Sequence, residues 1–210
     1  MNFKRFMPES SALRAGSAIV LVAMLAACSG TGKPKPAELP ANPALFGVRQ
    51  AWSVRIPAVG FPLAADVSGD IVTVAGSDGT VVAIDARAGR ETWRANAGAK
   101  LAAGVGSDGS LAAVVTTDNE LVAIEGGKVL WKQRLSAQAF TAPLVAGRRV
   151  FVQTADRSIS AWDGQSGRRL WLQQRTAENL VLKKSGVLTA VGDTLVSGIG
   201  GRLVGINPAN

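Results

Sequence analysis

The stretch IVTVAGSDGTVVAIDARAGRETW, residues 71–93, decides the architecture. Ile71, Val72 and Val74 form a short apolar run that stops at Asp78-Gly79. Val81, Val82 and Ile84 form a second run, and Asp85–Gly89 a second turn. A third run then carries Trp93. Asp-Gly between alternating apolar runs is a strong hairpin signal, so the stretch predicts three antiparallel strands.

Working outward, the same pattern recurs. Trp52, Trp93, Trp131 and Trp171 are separated by 41, 38 and 40 residues. AAVVTTDNELVAIEGGKVLW (112–131) is a second copy, shortened in its second turn, and VFVQTADRSISAWDGQSGRRLW (150–171) is a third. TLVSGIGGRLVGINPAN (194–210) begins a fourth. A further strand is predicted before each copy: PLAADV (62–67), LAAGVGS (101–107), TAPLVAG (141–147) and GVLTAV (186–191). A period near 40 residues with four strands per period predicts an all-β chain built as a β-propeller of four-stranded blades. Residues 45–210 hold about four blades.

AIDARAGRETW and AWDGQSGRRLW resemble the pyrroloquinoline-quinone-type propeller repeat, A-x-D-x-x-x-G-x-x-x-W. Each motif residue has a structural reason. The Asp can accept hydrogen bonds from amides in its own turn. Gly89 and Gly167 permit a positive φ. The Trp can pack between neighbouring blades and donate its indole N–H. Trp162-Asp163 spells a different repeat's dipeptide, but it fills the place of Ile84-Asp85 and is read as part of this repeat.

Composition narrows the chemistry. The 210 residues include no His and one Cys. A Ser-His-Asp triad, a Cys-His pair, a His-ligated metal and an internal disulfide are therefore excluded. The net charge is +8, from 23 basic and 15 acidic residues. The basic residues are scattered with no interleaved aromatics, so nucleic acid is not an expected partner.

Residues 1–27 read as a targeting segment. Lys4, Arg5 and Arg14 precede an uncharged run, Ala15–Ala27, too short to cross a bilayer as a helix. It ends in Leu25-Ala26-Ala27-Cys28, which resembles the lipobox of bacterial lipoproteins. That resemblance implies cleavage before Cys28, acylation of Cys28 and anchoring by acyl chains. Ser29, where an Asp would favour inner-membrane retention, implies the outer membrane. Cleavage would leave 20 basic and 14 acidic residues, a net +6. Residues 28–44, with four Pro in SGTGKPKPAELPANPA, predict an extended tether.

Lipobox, Pro-rich tether and repeats together resemble the BamB family of outer-membrane β-barrel assembly lipoproteins, over residues 28–210. The resemblance implies a non-catalytic scaffold on the periplasmic side of the outer membrane. It would bind BamA through the POTRA domains and sit among other assembly subunits. The family has eight blades, so the expectation is an incomplete propeller, 45–210, from the N-terminal half of a longer protein. A four-bladed ring is the alternative. QAWSVRI (50–56) matches the Trp-bearing fourth strand and would complete the last blade of a closed ring.

The family's contact segment, Leu-x-Leu followed by a basic residue, falls on ENLVLKKSG (178–186). By that resemblance Leu180, Leu182 and Lys183 contact the partner, with Lys183 in place of the family's Arg and without its bidentate fork. In a regular strand Leu180 and Leu182 would face opposite to Lys183, so either these leucines are core or the segment is a loop.

Quinoprotein alcohol dehydrogenases share the blade motif, which raises an enzyme reading. They stack the quinone on a disulfide between adjacent Cys residues, which this chain lacks. Asp66, Asp70, Asp108, Asp118 and Asp156 fall at repeated turn positions or blade surfaces. No catalytic residue, cofactor or metal is therefore expected. A third reading is a chaperone platform whose blade edges add a strand from a nascent barrel protein.

Overall fold

The structure is a computed structural model that describes residues 36–38, 47–174, 186–199 and 202–209. Before Arg49 the described residues carry no helix or strand. From Arg49 onward the chain is all-β and follows the predicted repeat.

Four antiparallel sheets succeed one another. The first contains β1 (Asp66–Ser68), β2 (Ile71–Ala75), β3 (Thr80–Asp85) and β4 (Arg90–Asn96). The second contains β5 (Gly106–Ser107), β6 (Leu111–Val115), β7 (Glu120–Glu125) and β8 (Lys128–Arg134). The third contains β9 (Leu144–Ala146), β10 (Arg149–Gln153), β11 (Ile159–Asp163) and β12 (Arg169–Gln173). The last has three described strands, β13 (Val187–Val191), β14 (Thr194–Ile199) and β15 (Arg202–Ile206). Each sheet is a meander in chain order. β5 lies against β1 and β9, and β9 against β13, so the first strand of each blade is its innermost. These are four blades of a β-propeller.

Both faces of the middle strands are buried, and the period-2 alternation sorts side chains between neighbouring blades. Ala112, Val114, Val122 and Ile124 pack on Ala75 and Val81 of the first blade. Leu111, Ala113, Val115, Leu121 and Ala123 point the other way, onto Val145, Val150, Val152 and Trp162 of the third. Phe151, Ile159 and Ala161 meet Leu195 and Ile206 of the fourth. Outer strands β4 and β8 alternate exposed and half-buried residues, as a blade rim should.

Two sequence expectations are refined. The innermost strands are shorter than their predicted stretches, with only Asp66–Ser68 and Gly106–Ser107 paired in the first two blades. Residues 50–56 form no paired strand, yet Trp52, Val54 and Ile56 pack on Val74, Val82 and Ile84 of the first blade. They thus stand where a preceding blade's outer strand would stand.

Candidate partner-binding face

The repeat motif is absorbed by the fold. Asp85 Oδ1 accepts the amides of Arg87 and Ala88 at 2.9 and 2.8 Å. Asp163 Oδ1 accepts the Ser166 amide at 2.8 Å and its hydroxyl at 2.7 Å. Gly89 and Gly167 take φ +65° and +67°, and each lies under the Trp of the preceding period, Trp52 and Trp131. Trp52, Trp131 and Trp171 donate their indole N–H to the carbonyls of Ala86, Gly164 and Pro208, at 2.7, 2.8 and 3.0 Å. Asp, Gly and Trp therefore form one latch, complete where Trp52 meets the first blade and where Trp131 of the second blade meets the third.

The other turn carboxylates serve their own loops. Asp108 accepts the amides of Ser110 and Leu111. Asp156 accepts from the Thr154 hydroxyl and the Ser158 amide. Asp70 pairs with Arg87 at 2.9 Å, on the surface. Asp66 accepts the Ser107 amide at 3.0 Å, joining two innermost strands. Burial raises its pKa, the Ser107 bond opposes this, and Asp108 adds to the rise. Among the described residues no group of three or more His, Cys, Asp or Glu could hold a metal ion.

Three of the turn aspartates are held below their ordinary pKa. For Asp85 the cause is the Ala88 and Arg87 amides, and for Asp163 the Ser166 hydroxyl and amide. For Asp156 burial pushes upward, but the bonds from Thr154 and Ser158 outweigh it. A depressed folded pKa adds stability that is present above the unfolded value, about 3.9, and is lost as pH falls through the folded value. Thermal melts should accordingly be flat from neutrality to about pH 5 and fall below about pH 4. Asp163→Asn should flatten that acid limb.

The position of the candidate face follows from the meander. The β2–β3, β6–β7 and β10–β11 turns share one end of the blades with the connections that leave each outer strand. Gln174 and Gly186, which flank the predicted partner segment, lie at that end, where the Gly186 amide donates to Thr141 Oγ1 at 2.9 Å. Leu180, Leu182 and Lys183 themselves, and Cys28, lie outside the described residues.

On the same end a groove of about 630 Å³ crosses the first two blades and reaches the connection to the third. Phe61, Leu101 and Phe140 supply its apolar lining, and Ser77, Lys100, Thr117, Asn119 and Gln138 its polar lining. Sequence reasoning missed this groove, although a signal existed. Phe61, Leu101 and Phe140 follow Trp52, Trp93 and Trp131 by nine, eight and nine residues, and Leu180 follows Trp171 by nine. The apolar residue of the predicted segment thus occupies a position that every period fills with Phe or Leu.

Comparison with known proteins fits this architecture. The family model described as "Outer membrane protein assembly factor BamB" matches residues 77–210. The outer membrane protein assembly factor BamB of Bordetella pertussis is 35% identical over 201 residues, covering 91% of this chain and 52% of that protein. The Burkholderia pseudomallei protein of the same name is 37% identical over 192 residues, covering 89% and 50%. The chain spans about half the length of the curated relatives it matches. Among solved structures, BamB from Moraxella catarrhalis superposes with a TM-score of 0.56 at 18% identity, over 69% of this chain and 49% of that one. The computationally designed Ika4 protein superposes at 0.54 with 17% identity, over 74% and 99%. Both structural likenesses speak for the fold. With a family match across most of the propeller, four blades of the expected kind and the Asp-Gly-Trp latch in place, the chain belongs to the BamB family of outer membrane protein assembly factors.

Proposed function

We propose that this chain acts as a non-catalytic scaffold in outer-membrane β-barrel protein assembly, binding BamA through its periplasmic POTRA domains. Family membership carries the reading. The latch supports it, because the motif shared with quinoprotein enzymes is used here to join blades. Leu180, Leu182 and Lys183 are the proposed contacts, in the segment between Gln174 and Gly186.

Cys28 is the proposed site of lipidation, with residues 1–27 removed and 28–44 tethering the propeller on the periplasmic side. Three acyl chains exceed the two signals that stable anchoring needs. Cys28→Ser should move the protein out of the outer-membrane fraction and change its electrophoretic mobility. Unchanged fractionation and mobility would remove the lipoprotein reading. For the assembly role itself, loss of the gene should lower the amount of folded barrel protein in outer membranes, and the wild-type gene should restore it. Barrel protein levels indifferent to the gene would contradict that role.

A further inference from the structure

The interface between the third and fourth blades departs from the other two at one level. Gln153 ends β10, where Ala75 ends β2 and Val115 ends β6. Across from it on β14 stands Ser197, in the place that Val114 and Val152 hold on β6 and β10. Between the first and second blades this level is Ala75 with Val114, and between the second and third it is Val115 with Val152, all within apolar clusters. Between the third and fourth it is polar. The Ser197 hydroxyl donates to Gln153 Oε1 at 3.0 Å, and both residues are buried. Two residues back along each strand, Phe151 and Leu195 are apolar again. The change is thus confined to the end of the blades where Gly186 stands.

Gly186 closes onto this cluster. Its amide donates to Thr141 Oγ1 at 2.9 Å, and Thr141 is buried too. Ala102 and Pro62, which follow Leu101 and Phe61 as Thr141 follows Phe140, have no hydroxyl to offer. A Cβ at Gly186 would lie 3.2 Å from Thr141 Oγ1 and 3.4 Å from Gln153 Nε2, so both side chains approach the glycine itself. A buried hydrogen-bonded pair adds little stability over apolar groups of the same shape. Blade packing, which apolar side chains serve at the other two interfaces, therefore does not account for it.

We infer, on the scaffold reading, that Thr141, Gln153 and Ser197 are positioning residues for the partner contact. They anchor Gly186, three residues after Lys183, so that the Leu180–Lys183 contacts are presented from a fixed root. Ser197 orients the Gln153 amide, and Gln153 and Thr141 hold the Gly186 backbone. A fixed root lowers the conformational entropy lost when these contacts meet the partner.

The experiment titrates the full-length protein with the POTRA domains of BamA by isothermal titration calorimetry and follows the Gly186 amide by hydrogen exchange. Thr141→Val should speed that exchange and weaken binding about threefold to tenfold, the loss of one hydrogen bond. Thr141→Ser, which keeps the hydroxyl, should restore both. Gln153→Leu combined with Ser197→Ala replaces both polar partners by apolar groups of nearly the same size. Its melting temperature should equal or exceed that of wild type, while binding weakens by a similar factor. A folded double variant, or a folded Thr141→Val, that binds like wild type overturns the positioning role. Loss of the fold in both would assign the cluster to packing and overturn it as well. No binding by wild type overturns the positioning role together with the scaffold reading, whereas wild-type binding with unweakened variants overturns the positioning role alone.

Discussion

Gly106→Ala is expected to destabilise the propeller strongly, through a clash with the backbone of the next blade. A Cβ at Gly106 would lie 1.9 Å from Pro143 O, 2.8 Å from Pro143 C and 3.3 Å from Leu144 Cα. All three are backbone atoms of the next blade, so no side-chain rotation relieves the clash. Innermost strands β5 and β9 would have to separate, disturbing the core shared by Leu111, Val145 and Val150. Overpacking typically costs ~1–3 kcal/mol and occasionally more, and a backbone clash belongs at the upper end. At ~2–4 °C per kcal/mol for a domain of this size, melting should fall by about 6–12 °C. An unchanged melting temperature would mean that the innermost strands are not packed this closely.

Gly167→Ala against Gly147→Ala is the second large contrast, and it isolates the latch. The two glycines have nearly the same backbone, φ +67° and +58°. A Cβ at Gly147 would meet nothing within 4 Å, whereas one at Gly167 would lie 2.6 Å from Trp131 Cδ2. Gly147→Ala therefore carries only the left-handed conformational penalty, roughly 1–2 kcal/mol. Gly167→Ala carries that and the displacement of an indole fixed by its bond to Gly164 O, an overpacking cost of roughly 1–3 kcal/mol more. Chemical denaturation of both variants gives the difference directly. Equal losses would show that the Trp does not lean on the glycine.

The blades were legible because their determinants are repeated and short in range. Trp spacing, Asp-Gly turns and period-2 runs each act within one copy, and Asp85, Gly89 and Trp93 recur as Asp163, Gly167 and Trp171. The fourth copy varies the theme, with Asn207 Oδ1 accepting the Ala209 amide where the first and third use Asp85 and Asp163. The innermost strands were over-read for a physical reason. Pro62 has no amide to give a ladder, and Phe61 and Pro62 line the groove instead. Leu101 makes one isolated bridge, to Thr116, before the chain turns inward to Gly106.

The groove left only a faint signal in the sequence, the Phe or Leu eight or nine residues after each repeat Trp. Phe61, Leu101 and Phe140 look like any core residue in an alternating run, and exposure on one edge is a tertiary property. Asn119 looked like a turn residue, which it is. Its unsatisfied oxygen depends on the neighbouring loops rather than on its own sequence context. The partner segment was approached by resemblance, and its place in the repeat is clear only beside Phe61, Leu101 and Phe140.

The central claim is that this propeller binds BamA at the end of the blades where Gln174 and Gly186 lie. Its most direct test is a titration of the purified full-length protein with the POTRA domains of BamA, comparing wild type with Lys183→Glu. Lys183→Glu is the informative variant, since Leu→Ala costs ~2–5 kcal/mol of stability wherever the leucine is a core residue, which would confuse a loss of fold with a loss of binding. Saturable binding is expected for wild type. Charge reversal at Lys183 should weaken it without changing the melting temperature, and the weakening should shrink at high salt. No binding by wild type, or equal binding by Lys183→Glu at every salt concentration, would contradict the account.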